Sequence, residues 1–230
     1  MVTKRVMVSM IEEKGMILAF EGLDGSGKET QTKLLEKRLK DIGIKVLRIE
    51  FPNYENEYSL FVKEYLKGKF EKNMNPYVVS VFFSLDRLGL YETIMKKYLN
   101  EGYVILCDRY VYSNLIYQGS KIEDLHEREK FFNWVLDFEY NMCGLLKEKI
   151  TFFMDIPINI SLDIVKSRGE KDVHEEDEEF LRKCYENCKY IAEKYNLVHI
   201  NCFSNGKLLS VEEINDCIYE YVLKILNFGV

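Results

Sequence analysis

The sequence predicts an α/β protein whose five-stranded parallel sheet is covered by helices on both faces. Two observations lead to this prediction. Five short apolar runs of strand length alternate with longer segments in which apolar residues recur every three or four positions. The chain has 230 residues, enough for one domain with a full hydrophobic core. Strands that alternate with helices are typical of a parallel sheet wrapped on two faces.

The apolar runs are the predicted strands, and local signals bound the helices between them. Gly43, Gly68 and Gly144 each end a helical pattern, because glycine readily adopts the left-handed conformation found after helices. Pro76 favours a helix start, and Ser210 with Glu213 forms a capping-box pattern. The predicted strands lie at 17–20, 45–49, 103–107, 150–154 and 197–202. The predicted helices lie at 28–42, 59–67, 76–99, 128–142 and 177–195. Of three further helices, one begins near 113, one ends at 167 and one begins at 210.

A glycine-rich turn joins the first strand to the first helix. Residues 22–28 have the Gly-x-x-x-x-Gly-Lys spacing of a phosphate-binding loop. Glycines let successive backbone N–H groups turn towards an anion, the helix N-terminus adds positive potential, and Lys28 adds a full charge. The sequence therefore predicts binding of a nucleoside triphosphate, by Gly22, Leu23, Asp24, Gly25, Ser26, Gly27, Lys28, Glu29 and Thr30.

Polar or turn-forming residues follow the first three strands, at 21–22, 51–52 and 108–109. Ligands of such sheets bind beyond the carboxyl ends of the strands, so these residues should lie at the binding edge. Asp108 follows an apolar run, and a carboxylate there suits magnesium, usually through water. A helix cap or an ion pair with Arg109 is the alternative.

Two arginines also point to an anionic ligand. Arg87 lies among apolar residues of the long predicted helix, and Arg109 lies at a strand end. A buried charge is costly without a partner, and a phosphate monoester would provide one through forked hydrogen bonds. Alternatively, Arg87 pairs with Asp86 or Glu92 at the surface. Aromatic residues near the same edge either pack in the core or line a site, where Phe83 would stack on a base: Phe51, Tyr54, Phe83, Tyr110, Tyr112 and Tyr117.

Composition argues against several classes of partner. The net charge of −6 disfavours a general nucleic-acid binder, and no apolar run reaches membrane-spanning length. None of the six cysteines forms a Cys-x-x-Cys pair, so we expect buried free thiols in a reducing cytoplasm. Cys184 and Cys188, one helical turn apart, are expected in the core rather than on a metal. We interpret residues 1–15 as an N-terminal extension and 16–230 as one domain with a short lid at about 167–177.

Several of these segments together resemble the thymidylate kinases, within the nucleoside monophosphate kinases. The matching segments are Phe20–Lys28, Phe51–Pro52, Phe83–Arg87 and Asp108–Tyr110. Ser113–Asn114 with Tyr117 resembles the next segment of that family, and Arg168–Gly169 resembles the start of its lid. The similarity runs from about Met16 to the last helix.

The resemblance implies a three-layer P-loop kinase fold and a homodimeric enzyme that transfers the γ-phosphoryl group of ATP to dTMP for dTTP synthesis. No general base is required, because a phosphate monoester has a second pKa of about 6 and is already an anion at neutral pH. By this resemblance the catalytic residues are Lys28, Asp24, Asp108, Arg109 and Arg168, and the Mg²⁺ residues are Asp108 and Asp24. Arg87 and Arg109 would hold the dTMP phosphate, and Phe83 would stack on thymine. The full implied dTMP-binding set is Asp24, Phe51, Pro52, Tyr54, Phe83, Arg87, Arg109, Asn114 and Tyr117.

The chain departs from the family pattern at three positions. Glu29 stands where a Ser or Thr normally offers a hydroxyl to magnesium, Val173 stands where many members carry a second lid Arg, and Gly25 stands where some place a catalytic Arg. Arg168 is therefore the expected lid cation, with Lys166 and Lys171 in reserve, unless the segment is a solvated charged loop. We expect Glu29 to face solvent, while Thr30 and the backbone hold the phosphates.

Two other functions fit parts of the pattern. A deoxynucleoside kinase phosphorylates a neutral hydroxyl and needs a base, which Glu50 would provide. Such enzymes usually carry Glu-Arg-Ser where this chain has Asp-Arg-Tyr at 108–110. A nucleotide-binding regulatory protein with a degenerate site would explain Glu29 and Val173.

Overall fold

The sheet has five parallel strands, as the sequence predicts. The computed structural model describes residues 15–71, 73–167, 174 and 177–227. The strand order is β2-β3-β1-β4-β5, which sets the first three strands side by side. The strands are β1 (Met16–Glu21), β2 (Val46–Glu50), β3 (Val104–Asp108), β4 (Ile150–Asp155) and β5 (Val198–Asn201), followed by a separate hairpin of β6 (Phe203–Ser204) and β7 (Lys207–Leu208).

The helices pack on both faces of this sheet. Turns of 3-10 helix at Glu57–Ser59 and Gly119–Lys121 and π-helical turns at Tyr91–Met95 and Asp137–Met142 join or extend them. The α-helices are α1 (Lys28–Asp41), α2 (Leu60–Leu66), α3 (Pro76–Leu90), α4 (Lys96–Asn100), α5 (Tyr112–Tyr117), α6 (Leu125–Leu136), α7 (Ile158–Ser167), α8 (Glu178–Lys194) and α9 (Val211–Ile225).

Alternation along β1 explains why both faces are covered. Ile17 and Ala19 pack into one core cluster, and Leu18 and Phe20 pack into the other, all with no exposed surface. Because successive strand side chains point to opposite faces, a strand that is apolar throughout must be covered on both. The prediction of a helix-wrapped parallel sheet is confirmed.

Most element boundaries agree with the sequence prediction to within a few residues. The predicted helix at 128–142 begins earlier, because the Asp124 carboxylate caps it by accepting from the Glu127 N–H at 2.9 Å. The predicted helix at 76–99 contains a π-helical turn. The capping box at Ser210 is confirmed. The β6–β7 hairpin was not predicted.

Two further expectations concern the burial of the cysteines and the absence of membrane-spanning segments. All six cysteines are free thiols. Cys107, Cys184, Cys188 and Cys202 are buried, as predicted, and Cys143 is partly buried. Cys217 is exposed because it lies on the outer face of α9. In the described part of the chain, no helix combines the length and the apolar character needed to cross a bilayer.

Candidate active site

The phosphate-binding loop lies between β1 and α1. Gly25 and Gly27 have φ angles of 80° and 84°, in the left-handed region that favours glycine, and α1 begins directly at Lys28. The Lys28 ammonium folds back and donates to a loop carbonyl at 2.8 Å. The Ser161 hydroxyl of α7 braces the loop by donating to the Asp24 carbonyl at 2.6 Å. The loop and the helix start thus form a positive cradle of the kind that binds phosphates.

Two departures from the family pattern can be placed on this loop. The Glu29 side chain is 56% exposed and pairs with Lys33 one turn later, so the expectation that it faces solvent is confirmed. Thr30 is also exposed, and its predicted phosphate contact stays a prediction. At Gly25, an added Cβ would lie 3.1 Å from the Ser161 carbonyl oxygen. A longer side chain at this position would therefore press against α7.

Asp108 ends β3 and is 4% exposed. Burial raises the pKa of its carboxyl group, while Lys28 and Arg109 lower that pKa. The Arg109 guanidinium pairs with Asp24, so the alternative of an Asp108–Arg109 ion pair is wrong. The cap alternative is wrong as well, because α5 starts at Tyr112, four residues further on. Asp108 is thus a buried carboxylate at the binding edge, beside the cation of the phosphate loop.

The donors at this edge suit a magnesium ion that arrives with a triphosphate. Among the described residues no group of three or more His, Cys, Asp or Glu side chains is placed to hold a metal. Burial and the Asp108 charge both raise the pKa of Glu50, its register partner on β2, so a cation there would relieve the repulsion. Magnesium commonly keeps several waters and takes one or two carboxylates plus phosphate oxygens. Asp108 fits that role, whereas both Asp24 oxygens already accept hydrogen bonds.

Arg109, Asp24 and Tyr117 form a compact polar cluster. Arg109 has a φ of 68°, a left-handed conformation unusual for a residue with a side chain. Its guanidinium donates to one Asp24 oxygen, and the Tyr117 hydroxyl donates to the other at 3.0 Å. Burial would raise the pKa of Asp24, but Arg109 and Lys28 lower it to about 2. The cluster holds an ionised carboxylate between two cations.

Glu21 is a site residue that the sequence prediction did not assign. It is fully buried at the end of β1 and accepts from the Tyr110 N–H at 2.8 Å, from the Ser113 N–H at 3.0 Å and from the Ser113 hydroxyl at 2.6 Å. Burial raises the pKa of Glu21 to about 7, against the Ser113 hydrogen bond and the charge of Arg109. These bonds hold the turn that carries Arg109. A charged residue at the end of an apolar strand was the available signal.

Arg87 is buried and has a carboxylate partner. Its Nε and Nη2 each donate to a Glu139 oxygen at 2.6 Å, and the two side chains are 2% and 0% exposed. The alternative in which Arg87 pairs with Asp86 or Glu92 at the surface is wrong. Glu92 pairs instead with Lys96, one turn along the surface. Glu139 therefore supplies the compensating charge that the sequence argument assigned to a bound phosphate.

Asn114 completes the network around this buried pair. Its amide nitrogen donates to Glu139 at 2.8 Å, to the Ser80 carbonyl at 3.1 Å and to the Ser84 hydroxyl at 3.3 Å. The amide oxygen is then the group that Asn114 can offer to a ligand. The Arg87 and Asn114 side chains together present a donor and an acceptor from a fixed scaffold.

The two polar clusters line one cavity of about 690 Å³. Every residue that the sequence predicts for the acceptor nucleotide lines it. Tyr110 and Tyr112, also considered there, are core residues instead, with 0% and 4% exposure. The cavity wall includes further residues that were not predicted to bind the acceptor: Glu50, Lys63, Leu66, Lys67, Ser113, Gln118 and His174.

The lid is described in part. Arg168, Lys171 and Val173 lie outside the described residues, so the prediction for Arg168 stays a prediction. Lys166 pairs with Glu178 at 2.6 Å, near the start of α8. His174 is buried against aromatic rings, and burial together with Lys121 lowers the pKa of its imidazole to about 3.

Comparison with known proteins identifies the family. The thymidylate kinase family model matches residues 20–214. A thymidylate kinase of Plasmodium falciparum is 30% identical over 93% of this chain and 92% of its own length. The chain belongs to the thymidylate kinase family. A probable thymidylate kinase of Methanocaldococcus jannaschii is 32% identical over 91% of this chain and 97% of its own length.

The fold agrees with that of a solved thymidylate kinase. The Candida albicans structure superposes with a TM-score of 0.72 at 24% identity, covering 94% of each chain. Members of the thymidylate kinase family are phosphotransferases, and the chain is accordingly an enzyme of that class. Neither the deoxynucleoside kinase nor the regulatory alternative is favoured. Glu50, the base of the first alternative, is half exposed and pairs with Arg48 at 3.7 Å.

Proposed function

We propose that this thymidylate kinase family member transfers the γ-phosphoryl group of ATP to dTMP, giving ADP and dTDP for dTTP synthesis. One observation carries the proposal. A single cavity at the carboxyl edge of the sheet extends to the phosphate loop, and every residue predicted to bind the acceptor nucleotide lines it. Its volume of about 690 Å³ lies within the usual range for small-molecule sites.

The reaction follows from charge and position. The loop at 22–30, including Lys28, holds the ATP phosphates. Asp108 would hold the magnesium that accompanies ATP, and that ion would neutralise phosphate charge. A phosphate oxygen of dTMP attacks the γ-phosphorus, and the bond to the bridging oxygen of ADP breaks with its electron pair left on ADP. The attacking oxygen is already anionic near neutral pH, since the second pKa of a monoester is about 6. Catalysis is then in-line positioning together with neutralisation of charge by Lys28 and Arg109.

The base end of the cavity supports a modified role for Arg87. Because Glu139 neutralises this arginine, the pair has little net charge to offer a phosphate. Its remaining N–H groups suit a neutral acceptor such as a thymine carbonyl, and the Asn114 oxygen suits a ring N–H. Phe83 lines the same region and would stack on the base. We therefore assign Arg87 to thymine and leave the phosphate to Arg109 and other cations.

Two further parts of the proposal concern the lid and assembly. Arg168 would reach the migrating phosphoryl group, so Arg168→Ala should lower kcat more than it raises KM. A homodimer is supported by exposed apolar side chains on α2 and α3, where Leu60, Phe61 and Val78 are 57%, 49% and 44% exposed. Free thiols support a reducing cytoplasm.

The deciding experiment supplies ATP and magnesium with a panel of deoxynucleosides and their monophosphates and follows ADP release. We expect turnover of dTMP well above that of thymidine or purine monophosphates. Equal turnover of thymidine and dTMP would refute the proposal. ATP binding without turnover of any acceptor would favour a regulatory protein. Sedimentation of the protein and of Phe61→Glu tests the dimer, which the variant should dissociate.

A further inference from the structure

The charged side chains around the cavity differ in whether they already have an ionic partner. Arg87 pairs with Glu139, and Arg109 pairs with Asp24. Each pair is close to neutral before a ligand binds. A phosphate monoester brings nearly two negative charges, and paired arginines supply no surplus to balance them.

Two lysines add positive charge to the cavity from α2 and the residue after it. Lys63 lies in α2, and Lys67 is the residue that directly follows this helix, four positions later. Both line the cavity. Among the described residues, neither of these lysines forms an ion pair with a carboxylate. Neither belongs to the short motifs at 20–28, 51–52, 83–87 and 108–110 that carry the family resemblance.

Lys63 is also held in place by a defined network. Its ammonium donates to the Asn56 carbonyl at 3.2 Å and retains two further N–H groups. Asp86, 1% exposed, fixes the same turn by accepting from the Asn53 N–H at 3.0 Å and from the Asn56 amide at 3.3 Å. The ammonium is therefore positioned before any ligand arrives.

The turn that carries these contacts starts at the reacting edge of the sheet. The Phe51 N–H donates to the Asp108 carbonyl at 2.9 Å, directly after β2. Five residues later, Asn56 contacts Lys63. One short turn therefore connects the proposed magnesium residue to Lys63 of α2.

We propose that Lys63, assisted by Lys67, supplies the positive charge that recognises the 5′-monophosphate of the acceptor. The proposal rests on the function proposed above and deepens it, because it makes α2 the element that distinguishes a nucleoside monophosphate from a nucleoside. Lys63 binds the phosphate in the ground state and in the transition state alike. Its loss should therefore appear mainly in dTMP affinity and less in kcat.

The test separates the charge of Lys63 from its contact with the turn. Lys63→Gln keeps a donor for the Asn56 carbonyl but removes the charge, and Lys63→Arg keeps the charge. Calorimetry without ATP measures Kd for dTMP and for thymidine. We expect Lys63→Gln to weaken dTMP about 10- to 100-fold, the range of a lost charge-assisted hydrogen bond, and thymidine less than about 3-fold. Lys63→Arg should restore most dTMP affinity.

The controls separate failure of this proposal from failure of the function. Lys69 is an exposed lysine just beyond α2 that pairs with Glu64 and does not line the cavity. The Lys69→Gln variant should therefore bind dTMP and thymidine as the unmodified protein does. Thermal unfolding checks that each variant folds. If the unmodified enzyme turns over dTMP and Lys63→Gln keeps its preference for dTMP over thymidine, Lys63 only supports the turn and the inference is wrong. Absence of dTMP turnover in the unmodified enzyme would refute the proposed function instead.

Discussion

Two arginines line one cavity, and each pairs with a carboxylate, but the two pairs differ in exposure. The side chains of Arg87 and Glu139 are 2% and 0% exposed, and two donors of the guanidinium meet both carboxylate oxygens. The side chains of Arg109 and Asp24 are 14% and 25% exposed, and the carboxylate also accepts from Tyr117. A guanidinium and a carboxylate therefore form a buried pair at one end, Arg87–Glu139, which we call the closed pair. At the other end they form a partly exposed pair, Arg109–Asp24, which we call the open pair.

The difference shows how one cavity can treat a base and a phosphate differently. Breaking a buried pair leaves an uncompensated charge in a medium that solvates it poorly, so the Arg87–Glu139 pair must stay intact. It then acts as a rigid neutral scaffold. The Arg109–Asp24 pair is more exposed and lies beside Lys28, so in the proposed reaction Arg109 would add a phosphate contact as charge develops there. Burial, rather than residue type, separates the two roles.

The largest expected effect tests the closed pair. Glu139→Ala leaves the Arg87 guanidinium buried without its counter-ion and should lower the free energy of unfolding by about 3–5 kcal/mol. Asp24→Ala, the matched change at the open pair, should cost less, about 2 kcal/mol, in line with the lowered pKa of its carboxyl group. Urea unfolding of the unliganded proteins measures both. Equal losses at the two ends would show that exposure does not separate the pairs.

Exchange of each arginine for lysine sharpens the functional side of the comparison. Arg109→Lys should lower kcat by about 100-fold, the size of a lost transition-state donor. Arg87→Lys should mainly raise KM for dTMP, because lysine cannot span both Glu139 oxygens and hold the base donor in place. Steady-state kinetics with saturating ATP separate the two parameters. An effect of Arg87→Lys confined to kcat would contradict our assignment of Arg87 to the base.

The proposed magnesium residue, Asp108, provides a third test, at the open end. Asp108→Asn should lower activity and raise the magnesium concentration needed for half-maximal rate, because it removes the buried negative charge at the strand end. Glu29→Ala, which removes an exposed carboxylate that pairs with Lys33, should change neither by more than the equivalent of about 0.5 kcal/mol. Titration of activity with magnesium measures both variants. A large rise in the magnesium requirement of Glu29→Ala would instead identify its carboxylate as a ligand.

The smallest expected effect is a pH dependence from Glu21, which supports the open end. Its folded-state pKa of about 7 lies above the ordinary value of 4.5, so the folded protein binds the proton more tightly than the unfolded chain. The resulting stability is complete below pH 4.5 and is lost as the pH rises through 7. Between pH 6 and 8, Glu21→Gln should gain about 1 kcal/mol relative to the unmodified protein, measured by urea unfolding at each pH. A difference independent of pH would contradict the raised pKa.

Local sequence predicted much of this enzyme. The five strands, the phosphate loop and the Ser210 capping box each depend on residues within a few positions of one another, and their boundaries agree closely with the structure. One local signal was overlooked. Asn205–Gly206 forms the turn of the β6–β7 hairpin with φ angles of 51° and 79°, the Asn-Gly signature of tight hairpins.

The sequence alone determined the fold class, the loop that binds phosphates and the residues that would gather at the carboxyl edge, because strand periodicity and turn chemistry are local properties. Tertiary structure decided which charges neutralise one another. Glu139 is 52 residues from Arg87, and Glu21 is 92 residues from Ser113. The chemical type of a buried charge can be read from its residue. Its partner depends on which distant segments pack beside it and exclude water, and that packing turned Arg87 from an expected phosphate ligand into half of a closed pair.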